Sequence, residues 1–379
     1  MELVAKKYKQ TDIGIIPIDW DVKRLLDVSD FSNGKAHEQS IDEAGDFVVV
    51  NSKFISTEGE IFKNSNQAIS PLAKGDITLV MSDIPNGKAL AKCYLIEIDN
   101  KYTLNQRICS IKTRVCDNVF LFYVLNRNKY FLSFDSGSGQ TNLRRNEVLD
   151  CPLAIPPTIA EQTSIATAIS NIDELISQTE KLIEKKKAIK QGVMQELLKA
   201  KEGWVTKKLG DVCEIYTGKK NNQDKIEDGE YPFFVRSQTI ERSNSYSYDG
   251  EAILVPGEGN IGNIFHYING KFDFHQRVYK ISDFSEMVYP KYVYLYIKEN
   301  FGKYALSNSV KATVDSLRLP TFQEFILPFP NDINEQKEIA EVIFSLDKEI
   351  EMIELKLQKL KLQKQGMMQA LLTGKIRLL

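Results

Sequence analysis

Histidine is scarce in this 379-residue chain: His37, His266 and His275 are the only three, and their spacing matches no metal site. The five cysteines (Cys93, Cys109, Cys116, Cys151 and Cys213) form no C-x-x-C pair. An odd count without that pairing argues for free thiols in a reducing cytoplasm, and against a disulfide framework or a zinc site. No apolar run approaches the roughly 20 residues that a bilayer demands. The opening stretch MELVAKKYKQTD lacks the apolar core of a secretory leader. A cytoplasmic protein is therefore expected.

Catalytic signatures are missing as well. NGKALAK lacks the upstream glycine and the Ser/Thr of a Walker loop, and no G-x-S-x-G elbow is present. AIPPT has neither the Asn nor the aromatic of the Asn-Pro-Pro-aromatic signature of amino-methyltransferases. ILVPGEGNIGNIF does place G-x-G-x-x-G at Gly257, Gly259 and Gly262, but a dinucleotide site needs a helix next. The next residues, NIFHYINGKFDF, read instead as β-structure turning at Asn269-Gly270, so a hairpin is expected. The chain by itself does not read as an enzyme.

Charge of one sign is also absent, since 49 Lys and Arg face 51 Asp and Glu for a net charge of −2. A free-standing DNA-binding domain is usually basic, because phosphate neutralisation supplies much of its affinity. The length suffices for two or three domains with real cores, and 42% hydrophobic with 26% charged residues is ordinary for a soluble protein.

What the chain does have is a repeat. KQGVMQELL (190–198) recurs as KQGMMQALL (364–372), an offset of 174. At that offset Glu161-Gln162 matches Glu335-Gln336, Ile165-Ala166 matches Ile339-Ala340, and Asp173 matches Asp347. Leu143-Arg144 likewise matches Leu317-Arg318, and Pro156 matches Pro330. Nearer the start of each half the offset is 184: WDVKRLLDV (20–28) matches WVTKKLGDV (204–212), and Gly34-Lys35 matches Gly218-Lys219. The only two tryptophans therefore sit at equivalent positions. Between these anchors the halves diverge, apart from NQR at 105–107 beside HQR at 275–277. One scaffold presenting two different readers would leave this pattern, and so would an unconstrained gene duplication.

Each well-matched tail begins like a helix. Thr158-x-x-Glu161 and Asp332-x-x-Glu335 put a capping side chain three residues before a glutamate, just after proline. Ile350, Ile353, Leu357, Leu360, Met367 and Leu371 form a seam at spacings of three and four, interrupted at Lys364. The first tail carries a weaker stripe at Ile176, Thr179, Ile183, Lys186, Lys190, Val193 and Leu197, widened by Leu175, Leu182 and Ile189. Gly203 and Gly374 are the expected C-terminal caps. About 38 residues at 1.5 Å make a rod on the order of 55 Å. Neither rod can bury its stripe alone, so the two are expected to pack together, antiparallel or parallel. A dimerisation coiled coil would show the same stripes. Gly192 and Gly366, each inside a helical stretch at a cost of roughly 1 kcal/mol against alanine, mark a candidate docking surface for a partner, with Gln191, Met194, Gln365 and Met368 beside them.

The bodies read as mixed α/β, with β-rich FVVVN, DITLVM, YPFFV and AILVP, and helical VFLFYVLNRNKYFL and YPKYVYLYIKENFGKYAL. The expected boundaries are a first body over 1–157, a helix over 158–201, a second body over 202–330, and a helix with tail over 331–379. Polar loops carry the side chains that hydrogen-bond to base edges or phosphates. They are Gln140, Thr141, Asn142, Arg144 and Arg145 in SGSGQTNLRR, and Lys311 and Thr313 in its counterpart SNSVKATVDSLR. Lys219, Lys220 and Asn221 in TGKKNNQ belong with them, as do Arg236 and Gln238 in RSQT. Lys35, Asn105, Arg107 and Arg277 complete the candidate set, although both arginines, lying within apolar strands, could equally pair with a carboxylate.

IGIIPIDWDVKRLLDV at the start, the proline-then-EQ…IA helix openings, the doubled KQGVMQELL and KQGMMQALL, and the closing LLTGKIRLL together resemble the specificity subunit of type I restriction–modification systems, over essentially the whole chain. The resemblance implies an α+β architecture: two repeated mixed α/β target-recognition domains, separated by two long antiparallel coiled-coil helices, with a pseudo-twofold internal repeat. It further implies that each domain reads one half of a split site in double-stranded DNA. The helices then set the spacer and dock two modification methyltransferase subunits, and restriction subunits can join. No cofactor is expected in this chain, because S-adenosylmethionine belongs to the partner. A coiled-coil interaction scaffold and a silent specificity cassette are the alternatives.

Overall fold

The computed structural model describes residues 8–84, 87–135, 137, 139–308 and 316–378. The chain divides into two compact units. Unit 1 joins Met1–Thr179 with Lys356–Leu379, and unit 2 is Glu180–Leu355.

In unit 1 the first body is built from β1 (Ser29–Asn33), β2 (Phe47–Val50), β3 (Ile77–Val80), β4 (Cys93–Leu95), β5 (Tyr102–Leu104), β6 (Ile108–Thr113) and helix α1 (Asn118–Leu125). β1, β6, β3 and β4 lie in that order as an antiparallel sheet, while β5 pairs parallel to β2. The run expected to be helical over 119–132 breaks in two at Asn126-Arg127, because Arg127 takes φ +56° and no helix continues through that conformation. Helix α2 (Ile159–Leu197) comes next, opened by Thr158, whose hydroxyl accepts from the Glu161 N–H at 3.2 Å.

In unit 2 the second body contains β7 (Glu214–Thr217), β8 (Tyr231–Phe234), β9 (Ile240–Ser243), β10 (Tyr248–Pro256), β11 (His266–Phe274), β12 (Val278–Ser282) and helix α3 (Pro290–Ser307). Its sheet runs β7-β12-β10-β11-β8-β9, with β8 and β11 parallel and the other pairs antiparallel. β10 and β11 are indeed a hairpin, so the glycine motif leads into a strand and not into the helix that a dinucleotide site needs. The turn lies at 257–265, however, and not at Asn269-Gly270. Gly270 sits inside β11 directly across from Gly250, both at wide positive φ, and the strands continue past the pair. Gly262 serves packing: a Cβ there would lie 2.9 Å from Gly302 of α3. Helix α4 (Ile333–Leu371) closes the chain, with Asp332 accepting from the Asn334 N–H at 2.9 Å.

The repeat is physical as well as textual. In each body the strand after the tryptophan pairs with the strand before the long helix, Asp21 facing Ile155 and Val205 facing Phe329. The glutamine that opens each long helix clamps its body. The Gln162 amide accepts from Asp117 N–H and donates to the Pro156 carbonyl, while Gln336 accepts from Tyr289 N–H and donates to that of Pro330. Each unit also holds antiparallel segments of α2 and α4. In unit 1, Ile165, Ala166 and Ile169 of α2 share a core with Trp20, Phe120 and Leu371. In unit 2, Met194 and Leu198 at the end of α2 share one with Ile339, Ala340 and Ile343. Each fully buried aliphatic side chain contributes on the order of 2 kcal/mol, which makes these cores, not propensity, the reason such long helices persist. Lys364 pairs with Asp173 in unit 1 and Lys190 with Asp347 in unit 2, one ion pair repeated at the 174-residue offset.

The two expected helix caps diverge. Gly374 sits at φ +68° with its N–H on the Leu371 carbonyl, and a Cβ there would lie 2.4 Å from Pro17. Gly203 is no cap of α2: it lies beyond Leu198 in a separate turn that leads into Trp204. Gly192 and Gly366 are helical, with nothing within 4 Å of an added Cβ. Replacing Gly374 by Val should therefore cost roughly 2 kcal/mol or more of unfolding free energy. Gly192→Ala should raise stability by about 0.5–1 kcal/mol. Urea denaturation of the two variants beside the parent measures both signs.

Candidate nucleic-acid interface

One backbone arrangement occurs in both bodies and gathers most of the candidate loops. In body 1 the NQR turn between β5 and β6 is fixed by three hydrogen bonds: Asn105 N–H to Val50 O at 3.1 Å, Gln106 N–H to Lys35 O at 3.0 Å, and Met81 N–H to Arg107 O at 3.0 Å. In body 2 the HQR turn between β11 and β12 repeats them: His275 N–H to Phe234 O at 2.9 Å, Gln276 N–H to Lys220 O at 2.8 Å, and Gly257 N–H to Arg277 O at 2.8 Å. The next link is common too, Leu143 and Leu317 donating to Met81 O and Gly257 O, each at 2.7 Å. In both bodies the ends of four segments thus meet at one turn. Glycine permits the approach, since a Cβ on Gly34 or Gly218 would lie 2.0 Å from the carbonyl oxygen of Asn105 or Phe274. By this criterion Lys35 corresponds to Lys220, one position along from the sequence match with Lys219.

At the body 1 junction Lys35, Arg107 and Arg144 are exposed, and none forms an ion pair among the described residues. Arg107 lies in the turn at φ +68°, outside the strands, so the expectation that it sits within one does not hold. Asn105 is half-buried beside it. Gln140 and Asn142 are exposed and share the Ser82 hydroxyl, which accepts from Gln140 Nε2 at 2.6 Å and donates to Asn142 Oδ1 at 2.7 Å. Thr141 is buried and donates to Asp135, a structural role. Arg145 is exposed with its guanidinium 5.5 Å from the Phe31 ring centre.

At the body 2 junction Lys219 and Gln238 are exposed. Lys220 is committed: its ammonium lies 2.8 Å from Asp273, whose side chain is only 4% exposed, and donates to Ser243 and Ser245 at 2.6 Å. It is a buried-charge partner more than a phosphate contact. Asn221 accepts from Gln276. Arg236 and Arg277 both reach Glu258, at 3.4 and 3.3 Å. Arg277, like Arg107, lies in the turn and not within a strand, and the carboxylate partner considered for it exists. His275 is 4% exposed and its Nδ1 accepts from the Arg277 N–H at 2.9 Å. Burial first, then Arg236 and Arg277, pull its pKa below the usual histidine value. Lys311 and Thr313 lie outside the described residues.

Sequence reasoning missed Ser82, Glu258, Gln106 and Gln276. Gln106 and Gln276 were within reach, as the middle residues of the matched NQR and HQR. Glu258 was hidden inside the glycine motif, where it looks like one more loop residue. Of the docking nominees, Gln191, Gly192, Gln365 and Gly366 are exposed, Met368 is half-buried, and Met194 belongs to the unit 2 core. The junctions offer amides, guanidiniums and ammoniums. These suit base edges and phosphates, and no cluster that could hold a metal ion exists among the described residues.

The sequence profile of the family described as "Type I restriction modification DNA specificity domain" matches twice, over residues 17–191 and 201–362. The type I restriction enzyme MjaVIII specificity subunit of Methanocaldococcus jannaschii is 24% identical over 429 aligned positions, covering 100% of this chain and 99% of that protein. The EcoDI specificity subunit of Escherichia coli is 28% identical over 170 positions, 45% of this chain and 37% of that one. The crystal structure of a type I S subunit from M. genitalium shares the fold, with TM-score 0.65 and 16% identity over 97% of this chain and 98% of its own.

Lys220→Ala should leave Asp273 buried and unpaired, costing about 3 kcal/mol of stability, while Lys219→Ala should change stability by less than about 0.5 kcal/mol. On DNA, Lys219→Ala should weaken binding to all sequences alike and lower the salt slope by about one. Calorimetry and a salt series of binding isotherms separate the two lysines. The histidine sign is definite as well. With its folded pKa below the unfolded value of about 6.5, His275 binds a proton in the unfolded chain first. Its favourable contribution is thus complete above that pH and falls as pH drops through it. His275→Asn, the residue type of body 1, should flatten the stability profile between about pH 6.5 and 5.

Proposed function

Given that this chain belongs to the type I restriction modification DNA specificity family, we propose that it is the sequence-reading, non-catalytic subunit of an adenine-methylating and DNA-cleaving complex, with each body reading one half of a bipartite double-stranded site. The observation that carries this reading is the twice-built junction: one backbone scaffold, held by the same hydrogen bonds, presents Lys35, Arg107, Gln140 and Asn142 in one body and Lys219, Arg236, Gln238 and Arg277 in the other. Such side chains contact base edges in the major groove, where all four base pairs differ. Each mismatched pair costs about 1–3 kcal/mol, so two short half-sites add their discrimination.

The two 39-residue helices act as the ruler for the unspecified spacer and as the seat for two modification subunits. Gln191, Gly192, Gln365 and Gly366 are exposed for that contact. The partner supplies S-adenosylmethionine and flips the target adenine into its own pocket. It also supplies much of the phosphate contact that a chain of net charge −2 does not. No described helix of this chain is long and apolar enough to cross a membrane.

Co-expression with the modification subunit in a methylation-free host, followed by genome-wide mapping of N6-methyladenine, tests the reading. A split motif methylated on both strands, and lost without this chain, is the expected result; methylation independent of the chain would refute it. Two extra helical turns (about seven residues, about 11 Å) in both α2 and α4 should lengthen the spacer by about three base pairs at 3.4 Å each and leave both half-sites unchanged. Gly192→Leu or Gly366→Leu should abolish capture of the modification subunit in a pull-down while leaving the chain folded.

A further inference from the structure

The two junctions differ at one equivalent position. In body 1 the residue after Met81 is Ser82, which bridges to Asn142; in body 2 the residue after Gly257 is Glu258, which bridges to Ser316. Ser82 gathers two amides, whereas Glu258 gathers two guanidiniums, one on each carboxylate oxygen. The Glu258 side chain is 21% exposed, against 43% for Arg236 and 59% for Arg277, so the anchor is the more buried member and the arginines the more open ones.

A guanidinium has five N–H donors, and an ion pair to one oxygen engages only part of them. The remaining donors stay available while the side chain loses rotamer freedom before any ligand arrives. A backbone phosphate can be met by a mobile cation from several directions, since its charge carries no sequence information. A planar fork meant for a base edge needs the restraint, and the edge that fits is guanine O6 and N7. The carboxylate also offsets one of the two positive charges, which lowers attraction to DNA of any sequence.

We propose that Glu258 is a positioning residue that aims Arg236 and Arg277 at guanine in the half-site read by body 2. This rests on the DNA-reading function proposed above. Body 1, with Ser82 holding Gln140 and Asn142 at the same place, does not use this device.

The test uses the chain assembled with its modification subunits, and duplexes carrying the methylation-mapped site. Each guanine is replaced singly by 7-deazaguanine, which lacks the N7 acceptor. The parent complex should lose at least about tenfold in affinity at one or two guanines of a single half-site, and Arg277→Gln or Arg236→Gln should erase that difference. Glu258→Gln should weaken preference for those guanines yet bind a scrambled duplex more tightly, with a steeper salt dependence. Glu258→Asp should restore the preference in part. A parent complex indifferent to every 7-deazaguanine removes the assignment without recourse to any variant. So does a Glu258→Gln complex that weakens on specific and scrambled DNA alike with its base preference intact, since that is the signature of a merely structural carboxylate. A parent complex that fails to distinguish the mapped site from the scrambled duplex refutes DNA reading itself. Tight site-specific binding without guanine dependence refutes only the role of Glu258.

Discussion

Two 39-residue helices whose apolar stripes neither can bury alone impose the main constraint on this structure. The answer in each unit is the same. The first turns of one helix and the last turns of the other run antiparallel and share the core of a globular body, through Ile165, Ile169 and Leu371 in one case and Ile339, Ile343 and Met194 in the other. Because both ends of both helices are tied into cores, the helices need no strong intrinsic propensity. Their middles can carry charge, and their last turns tolerate Gly192 and Gly366. The Lys190–Asp347 and Lys364–Asp173 pairs are partly exposed and add little energy; their effect is on register, which a sliding apolar stripe does not define.

Within each body, the short strand pair that begins after the tryptophan ties the start of the body to its end, and the glutamine clamp on the long helix fixes where that helix leaves. With both ends fixed, the intervening loops are free to differ in length, as the changing offsets between the halves require. What stays constant between them is backbone: the turn after β5 or β11, the glycine that lets the neighbouring carbonyl approach, and the hydrogen bonds linking four segment ends. Backbone hydrogen bonds are indifferent to side chains, so at one equivalent position Ser82 gathers two amides in one body and Glu258 two guanidiniums in the other.

That separation also accounts for the charge. With 49 basic and 51 acidic residues, the chain as a whole does not attract DNA. In the proposed interface the cations gather at the junctions, and the most buried of them, Lys220, is neutralised by Asp273. An interface of this kind favours discrimination over non-specific affinity, since Coulombic attraction to phosphate is blind to sequence.

The sequence by itself determined the repeat, the two long helices with their proline-then-cap openings, the β-hairpin nature of the Gly257–Gly262 segment, and the family. All of these come from periodicity and local chemistry, which neighbouring residues encode. It misplaced the cap at Gly203, the turn at Asn269-Gly270 and the unbroken helix through Arg127, because positive-φ residues look alike in a sequence whether they end a helix, lie within a strand or break a run. It also grouped Lys219 with Lys220, though one is open and the other is the partner of a buried carboxylate. Only the tertiary structure decided which polar loops meet. Lys35, Met81, Asn105 and Leu143 are far apart in the chain, and hydrogen bonds between their backbones carry no residue-specific signature. The physical reason Glu258 stayed invisible is the same: an acidic residue among glycines declares its role only when Arg236 and Arg277 arrive from elsewhere in the chain to share it.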